Sequence, residues 1–224
     1  MTNGCGAWQK WGLSPHLPNR SFLPRAARVE VLIFQAYDKH LEQLTEVAER
    51  VCRALDAAGI SYRIIGGLAV FFHVQAKDPI AARLTKDVDL AIDRRDLERV
   101  AHTVRSLGLE YRHVAGVDML VDASRPSARS AIHMIFVREK VRPDYIEPVP
   151  DFSSPVIAGG ISLAPVPDVL RMKLTSLRLK DKVHIIDMDG VGLITPEIEA
   201  ALPDPLRRRL QQVRDEERQS AGAE

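Results

Sequence analysis

The sequence has little cysteine, almost no net charge and no long apolar run. Cys5 and Cys52 are the two cysteines among 224 residues, and their spacing matches neither a metal motif nor a disulfide framework. No uninterrupted apolar stretch approaches the ~18 residues that span a membrane. The formal net charge is +1, so no overall field attracts nucleic acid or a membrane surface. These absences favour a protein of the reducing cytoplasm that has no membrane partner.

The rest of the composition is that of an ordinary soluble globular protein, with 46% hydrophobic and 27% charged residues. A chain of this length suits one large domain, or a core domain with a smaller helical appendage. We expect a loose tail without function over residues 1–28, which contain no Asp or Glu and several Pro and Gly. A core domain is then expected over residues 29–164, followed by a helical segment over residues 165–224.

Hydrophobic spacing predicts how helices and strands alternate along the chain. Helices are predicted over residues 31–58, 68–74, 96–107, 168–188 and 196–218, the first ending at Gly59 and the last following an N-cap at Thr195. Strands are predicted over residues 62–65, 85–93, 109–114, 117–121, 131–137 and 161–163, with a loop over residues 138–160. This order predicts an α/β (α+β) fold, in which helices flank a small mixed sheet and a helical segment ends the chain.

Two carboxylates, Asp87 and Asp89, lie two residues apart in one apolar strand. Side chains alternate between the faces of a strand, so both carboxylates point to one side while Val88 and Leu90 point to the other. Like charges held close in a half-buried strand repel each other and lose hydration, and a bound divalent cation would offset both effects. Mg²⁺ takes carboxylate oxygens and shares its remaining positions with water and substrate phosphates. The alternative is a hydrated strand edge that binds no metal.

A pair of glycines, Gly66 and Gly67, separates the predicted strand 62–65 from an almost wholly apolar helix. Glycine lets the backbone turn sharply and approach a ligand closely, and a helix N-terminus presents free N–H groups to an anion. The arrangement is typical of a phosphate cradle, although any tight turn from strand to helix also favours glycine.

The order of strand, Gly66-Gly67, helix and then an Arg-x-Thr-x-Asp-x-Asp motif at residues 83–89 resembles the polymerase-beta-like nucleotidyltransferase superfamily. Within it, the likeness is greatest to the bacterial minimal and toxin-type nucleotidyltransferases, some of which modify tRNA. The resemblance covers residues 40–190. It implies a nucleotidyltransferase-like core with an NTP as substrate and Mg²⁺ or Mn²⁺ as cofactor.

The resemblance also implies roles for the residues that match the motifs. Asp87 and Asp89 would be catalytic and would hold the metal ions that bridge the phosphates of the nucleotide. The residues that would bind the nucleotide are Gly66, Gly67, Arg83 and Thr85. For Arg83, a surface ion pair with a nearby acid is the alternative.

A second match lies in the predicted helix 168–188. Similar proteins carry a Lys at the place of Lys173 and a Lys/Arg-Asp pair, here Lys180-Asp181, followed three residues later by His or Asp, here His184. If the helix is continuous, Lys173, Asp181 and His184 share one face of it. The resemblance implies that Lys173 and Asp181 bind the nucleotide, whereas the alternative is a structural pair between Asp181 and His184.

One position departs from the family pattern. A third carboxylate usually follows on a later strand as metal ligand and general base, and His133 stands there in this chain. A neutral imidazole accepts a proton near pH 7, but it suits Mg²⁺ less than oxygen does. Three outcomes stay open: His133 is the base, Asp118 or Asp122 replaces it, or the site is weakened. As a lone histidine in an apolar strand, it could also be a core residue.

The resemblance implies a metal-dependent enzyme that moves a nucleoside monophosphate from an NTP to an acceptor hydroxyl and releases pyrophosphate. The acceptor could be a tRNA, a protein side chain or a small molecule such as an aminoglycoside, and a toxin paired with an antitoxin protein is one version. Arg207-Arg208-Arg209 and residues 171–182 are candidates for a basic face that binds RNA, or for a solvated helix surface. The alternative function is a degenerate, catalytically inactive fold that binds a nucleotide or a partner protein.

Overall fold

The computed structural model describes residues 45–127 and 131–222. Within these ranges the helices are α1 (45–57), α2 (Gly66–Gln75), α3 (Leu97–Val104), α4 (Val166–Ser176), α5 (Leu179–Gly190), α6 (Pro196–Ala200) and α7 (Asp204–Ala221). The strands are β1 (Tyr62–Ile65), β2 (Val88–Ile92), β3 (Leu109–Val114), β4 (Val117–Asp122), β5 (Ile132–Phe136), β6 (Val156–Ala158) and β7 (Ile161–Leu163). The tail predicted over residues 1–28, and the part of the first predicted helix before residue 45, lie outside the described residues.

The described strands form one mixed sheet in the order β3-β4-β5-β2-β1-β7-β6. Near its centre, β2 runs antiparallel to β1 and parallel to β5. In this register Asp89 lies opposite Ile65 of β1 on one side and His133 of β5 on the other. The sheet therefore brings together the strand that ends at the glycine pair, the Asp-x-Asp strand and the strand that carries His133. The predicted class, a mixed sheet flanked by helices, is confirmed.

One face of the sheet packs against α1 and α3. Val88 and Leu90 of β2 point to this face, where they are 1% and 0% exposed. Cys52 of α1 lies in the same core at 0% exposure, and burial raises the pKa of its thiol to about 12. The thiol is therefore a small buried apolar group, as its helical context predicts, and has no nucleophilic role.

The opposite face packs against the C-terminal helices α4, α5 and α7, whose buried apolar side chains share one core with Ile65, Ala91 and Val137. Helix α2 contributes to both cores, because apolar residues surround it on every side. The predicted boundary between residues 164 and 165 falls just before α4. The helical segment beyond it does not stand apart, since it covers the sheet face on which Asp89 lies.

The single helix predicted over residues 168–188 is wrong, because the structure has two helices there. Helix α4 ends at Ser176. The next residue, Leu177, has the left-handed backbone conformation with φ +46°, and α5 begins after Arg178. The apolar spacing continues across the break without a glycine or proline, so local sequence does not reveal it. The break is instead stabilised by Asp181, whose carboxylate accepts a hydrogen bond from the backbone N–H of Arg178 at 3.2 Å.

Two smaller differences concern irregular segments. The loop predicted over residues 138–160 contains the three-residue strand β6, which pairs antiparallel with β7. The helix predicted over residues 196–218 is divided into α6 and α7 at Pro203, which is the N-cap of α7. Thr195 is the N-cap of α6 as predicted, and its hydroxyl accepts from the N–H of Ile198 at 3.4 Å. Among the described residues, no helix is both long and apolar enough to cross a membrane.

Candidate active site

Asp89 lies in β2, on the sheet face that α4 and α5 cover, whereas Asp87 directly precedes β2, which begins at Val88 and not at residue 85 as predicted. The side chains of Asp87 and Asp89 are 41% and 28% exposed, whereas the alternating Val88 and Leu90 are in the core. The nearest cationic group to Asp87 is that of Lys180, whose Nζ lies 3.9 Å from Oδ2. A pair held this loosely at the surface offsets little of the repulsion between two carboxylates. The two acids are therefore accessible, close in sequence and only weakly neutralised by protein groups.

The glycine pair lies directly against this acidic site. Gly66 has φ +69°, and a Cβ placed on it would lie 1.9 Å from Oδ2 of Asp89. A Cβ on Gly67 would lie 2.6 Å from Oγ1 of Thr85. Only glycine lets the first turn of α2 approach these side chains so closely. Among residues 45–127 and 131–222, no side-chain hydrogen bond caps the N-terminus of α2, so its first N–H groups are open to an anion beside the carboxylates.

His133 occupies the position next to Asp89 on the neighbouring strand. Its Nδ1 lies 3.4 Å from Oδ1 of Asp89, and this contact raises the pKa of the imidazole. The two other acids considered for its role are engaged elsewhere. Asp118 accepts hydrogen bonds from Tyr111 at 2.6 Å and from His113 at 2.8 Å, and Asp122 caps the turn at Ser124. Of the three candidates, only His133 lies beside the Asp-x-Asp pair.

Lys173 and Asp181 form a buried ion pair at the junction of α4 and α5. Nζ of Lys173 lies 2.9 Å from Oδ1 of Asp181, and their side chains are 7% and 0% exposed. Ser176 and Arg178 donate to the second oxygen, Oδ2, at 2.7 Å each. Burial alone raises the pKa of Asp181, but the Arg178 hydrogen bond and the charge of Lys173 outweigh it and hold the pKa well below its usual range. Both Asp181 oxygens are thus used by protein donors.

This network assigns Asp181 a structural task that differs from the predicted contact with a nucleotide. Lys173 and Asp181 are in contact across the break between α4 and α5. The predicted shared face of one continuous helix is therefore wrong, although the two side chains do lie close together. The predicted alternative, a pair between Asp181 and His184, is not formed, because Asp181 pairs with Lys173 and Arg178. Nucleotide binding by Lys173 stays a prediction, since its ammonium group also lines a cavity that reaches Asp89.

His184 of α5 lies next to the glycine pair, since a Cβ added to Gly67 would be 3.5 Å from Cε1 of its ring. Burial, and after it the charge of Lys173, lowers the pKa of His184 to about 4. The imidazole is therefore neutral at pH 7 and would protonate only in acid. Because the unfolded chain takes up this proton at higher pH than the folded protein, stability falls as the pH drops from about 6.5 towards 4.

Arg83 forms an ion pair with Asp187 of α5, with Nε 2.9 Å from Oδ1. Its side chain is 65% exposed, so the predicted alternative of a surface ion pair matches what is seen. Its contact with a phosphate stays a prediction, as does that of Thr85, whose hydroxyl lies 3.4 Å from the N–H of Asp87. The ion pair connects the segment before β2 to α5.

The arginine triplet considered as an RNA-binding face is largely engaged in capping helices. Arg207 donates to the carbonyl oxygens of Ala200 and Leu202 at 3.0 and 2.8 Å. Arg209 donates to those of Leu174 and Thr175 at 2.8 and 2.7 Å. Cationic groups stabilise helix C-termini because the carbonyls there lack intrahelical partners. Two of the three charges are therefore not free to form a phosphate-binding surface.

Sequence reasoning missed a set of residues that line a cavity of about 130 Å³ between the sheet and α4. Tyr145 and Glu147 come from the segment predicted only as a loop, and Thr175 follows Lys173 on α4. Nothing in the spacing of the loop points to a site, because its residues have no period of their own. The one weak signal in the sequence was the position of Thr175, two residues after the candidate Lys173.

The donor set fits a magnesium ion only in part. Among the described residues, no three His, Cys, Asp or Glu side chains lie close enough to hold a metal ion by themselves. Mg²⁺ is commonly bound through one or two carboxylates together with substrate phosphates, so Asp87 and Asp89 suit an ion that arrives with a nucleotide. The imidazole of His133 suits it less, because Mg²⁺ prefers oxygen ligands.

Comparison with solved structures finds nucleotidyltransferases. The crystal structure of ANT(2'')-Ia in complex with adenylyl-2''-tobramycin is 13% identical over 76% of this chain and 98% of its own, with a TM-score of 0.47. A nucleotidyltransferase-like protein from Paracoccidioides brasiliensis is 18% identical over 81% and 92%, with a TM-score of 0.49. The polyadenylate synthase of Megavirus is 13% identical over 80% of this chain and 39% of its own, with a TM-score of 0.46.

The likeness transfers no substrate, metal or residue role to this chain, because the identities are below 20%. No family model matches the chain, and no curated protein does.

The contact between Gly66 and Asp89 is testable by adding one methyl group. Gly66→Ala places a Cβ against the carboxylate at a positive φ, so we expect a loss of about 1–3 kcal/mol in unfolding free energy. The matched control is Gly190→Ala, where a Cβ meets nothing within 4 Å. Equal unfolding free energies for the two variants in urea unfolding would contradict the assigned contact.

The contribution of the buried ion pair between Lys173 and Asp181 to stability is testable with single and double variants. Asp181→Leu leaves Lys173 buried without its counter-charge, which should cost about 3–5 kcal/mol in unfolding free energy. The double variant Lys173→Met/Asp181→Leu should recover most of that loss in urea unfolding. As a control, Asp215→Ala removes an exposed partner of Arg218 and should stay within about 1 kcal/mol of wild type. A double variant as unstable as Asp181→Leu would refute the pairing.

Proposed function

We propose that this protein transfers a nucleoside monophosphate from an NTP to an acceptor hydroxyl and releases pyrophosphate, with Mg²⁺ or Mn²⁺ as cofactor. The observation that carries the proposal is the contact of the uncapped N-terminus of α2, through Gly66, with the carboxylate of Asp89. A phosphate group at that N-terminus would lie next to Asp89 and share a cation with it.

Each side chain has a task in such a transfer. The backbone N–H groups at the start of α2 bind phosphate oxygens of the triphosphate. Asp87 and Asp89 would hold a divalent ion, which would neutralise charge on the attacked phosphate and on the leaving pyrophosphate. The acceptor oxygen forms a bond to the α-phosphorus while the bond from that phosphorus to the pyrophosphate oxygen breaks.

His133 is placed to take the proton of the acceptor hydroxyl. Its Nδ1 faces Asp89 at 3.4 Å, so a proton on this nitrogen is stabilised by the carboxylate and Nε2 stays free as an acceptor. An imidazole held in one orientation by a carboxylate is a common form of general base. The proposal thus assigns the task of the missing third carboxylate to a histidine that a neighbouring acid orients.

The inactive alternative has one observation in its favour. The site is a carboxylate short, and no group of three potential metal ligands is found among the described residues. A protein that binds a nucleotide and never transfers it would have the same fold and the same glycine contact. Binding and transfer must therefore be measured separately.

Only the sequence supports the predicted identities of the acceptor and of any partner. A tRNA or an antitoxin protein as partner, a toxin role and a cytoplasmic location stay predictions, and the capping roles of Arg207 and Arg209 reduce the support for an RNA surface. The proposal therefore specifies the acceptor only as a hydroxyl group.

Transfer is tested by incubating the full chain with each of the four α-labelled NTPs, Mg²⁺ or Mn²⁺, and a cell extract fractionated into RNA, protein and small molecules. We expect label in one fraction, and Asp89→Asn should lower its rate at least about 10³-fold because the ion loses a ligand. Asp118→Asn on β4, which β5 separates from β2, should leave the rate unchanged. Nucleotide binding without any labelled product would support the inactive alternative, and neither binding nor transfer would refute the proposal.

The base assignment is tested at position 133. His133→Ala should lower the rate of transfer by about 10²–10⁴-fold with little change in nucleotide affinity. His133→Asp should retain much more activity than His133→Ala, since a carboxylate can accept the proton and can also ligate the ion. Equal rates for wild type and His133→Ala would show that another group takes the proton.

A further inference from the structure

Lys180, on the first turn of α5, places a positive charge beside the acidic pair. Its Nζ lies 3.9 Å from Oδ2 of Asp87, and its side chain is 58% exposed. At that distance the two groups form no hydrogen bond. Among residues 45–127 and 131–222, Lys180 makes no other ion pair. The ammonium group therefore faces a candidate metal ligand and is held there by charge alone.

Other cationic side chains of α5 and its cap are held more closely, by acids outside the candidate metal site. Arg178 pairs with Asp181 at 2.7 Å, and Lys182 pairs with Glu216 at 2.6 Å. Both contacts are charge-assisted hydrogen bonds, which fix the position of each cation. Lys180 differs, because its acidic partner among the described residues is one that the proposed function assigns to the divalent ion.

The fold keeps Lys180 and Asp87 adjacent even when their own contact is broken. The ion pair between Arg83 and Asp187, at 2.9 Å, connects the segment before β2 to α5, and Lys180 lies on that same helix. The lysine side chain has a flexible stem, and an exposed ion pair contributes little to stability. The ammonium group can therefore leave Asp87 at little cost and still remain at the site.

A divalent ion and the complex of that ion with an NTP have charges of opposite sign. The free ion is positive, so the ammonium group of Lys180 repels it and competes with it for Asp87. An NTP has more negative charge than one divalent ion neutralises, so the complex is negative and the same ammonium group attracts it. A lysine at this place thus opposes binding of the free ion and favours binding of the complex.

We infer that Lys180 occupies part of the divalent-ion site in the free protein, and that it exchanges Asp87 for the phosphates of the nucleotide when ion and NTP bind together. Lys180 is thus a specificity-determining residue, which discriminates between the free ion and the ion–nucleotide complex. This inference rests on the proposed nucleotidyl transfer, and it adds a residue that controls how the site is loaded.

The inference is tested by titrating the full chain, without an acceptor, first with Mn²⁺ alone and then with Mn²⁺ and each of the four NTPs. Lys180→Met keeps the apolar stem and removes the charge. We expect this variant to bind Mn²⁺ alone at least about threefold more tightly than wild type, the size of one exposed charge interaction. For the NTP that wild type binds most tightly, it should bind the complex with Mn²⁺ at least about threefold less tightly.

Two further variants separate the charge at this position from packing and from net charge. Lys180→Arg keeps the charge and should bind both ligands within about twofold of wild type. Lys182→Met removes the same charge two residues further along α5, where Glu216 holds it. It should change neither affinity by more than about twofold, because solvent and salt screen a charge outside the site. The melting temperature of Lys180→Met without ligands should equal that of wild type, because the pair is exposed.

Opposite changes for the two ligands, found in Lys180→Met and absent from Lys180→Arg and Lys182→Met, would support the inference. Affinities of Lys180→Met that are unchanged, or that change in the same direction for both ligands, would overturn it and leave nucleotidyl transfer intact. The same holds if Lys180→Met binds no Mn²⁺ alone at millimolar concentration, or if either control variant behaves like it. Failure of wild type to bind Mn²⁺ with any of the four NTPs would overturn both proposals.

Discussion

The structure of the site depends on one close contact, between the backbone at Gly66 and the carboxylate of Asp89. Because a methyl group at residue 66 would lie 1.9 Å from Oδ2 of Asp89, the first turn of α2 and the acid can occupy these places only with glycine between them. The contact places the N–H groups of the helix N-terminus next to the negative charge of Asp89, which is favourable for that carboxylate, whereas repulsion between Asp87 and Asp89 is the unfavourable term that a cation would offset.

The C-terminal helices α4 and α5 impose a second constraint, because they cover the sheet face on which Asp89 lies. The buried pair of Lys173 and Asp181 joins α4 to α5 at a left-handed residue, Leu177. Ser176 and Arg178 complete the hydrogen bonding of the carboxylate, so the charges are compensated although they lie away from water. Since Lys173 also lines the cavity beside Asp89, the junction that stabilises the fold also holds Lys173 next to the candidate site.

The fold and the acidic site were largely predictable, because both depend on local patterns. Period-two spacing around Val88 and Leu90 predicts which side of β2 carries the acids, and the apolar run after Gly67 predicts a helix buried on every side. The part that failed was the single helix over residues 168–188. Its break depends on a buried carboxylate that pairs with a lysine eight positions away, and helical spacing contains no information on such a pairing.

By itself, the sequence determined the order of the elements, the side of β2 on which Asp89 lies and the glycines before the helix, since each follows from backbone periodicity or from the absence of a Cβ. Only the tertiary structure decided that His133 lies beside Asp89 whereas Asp118 and Asp122 are engaged elsewhere, because strand register places residues from distant parts of the chain in contact. It also decided that Thr175 and the segment 141–149 enclose a cavity next to the acids. A cavity is the space left between packed elements, and no single stretch of sequence contains it.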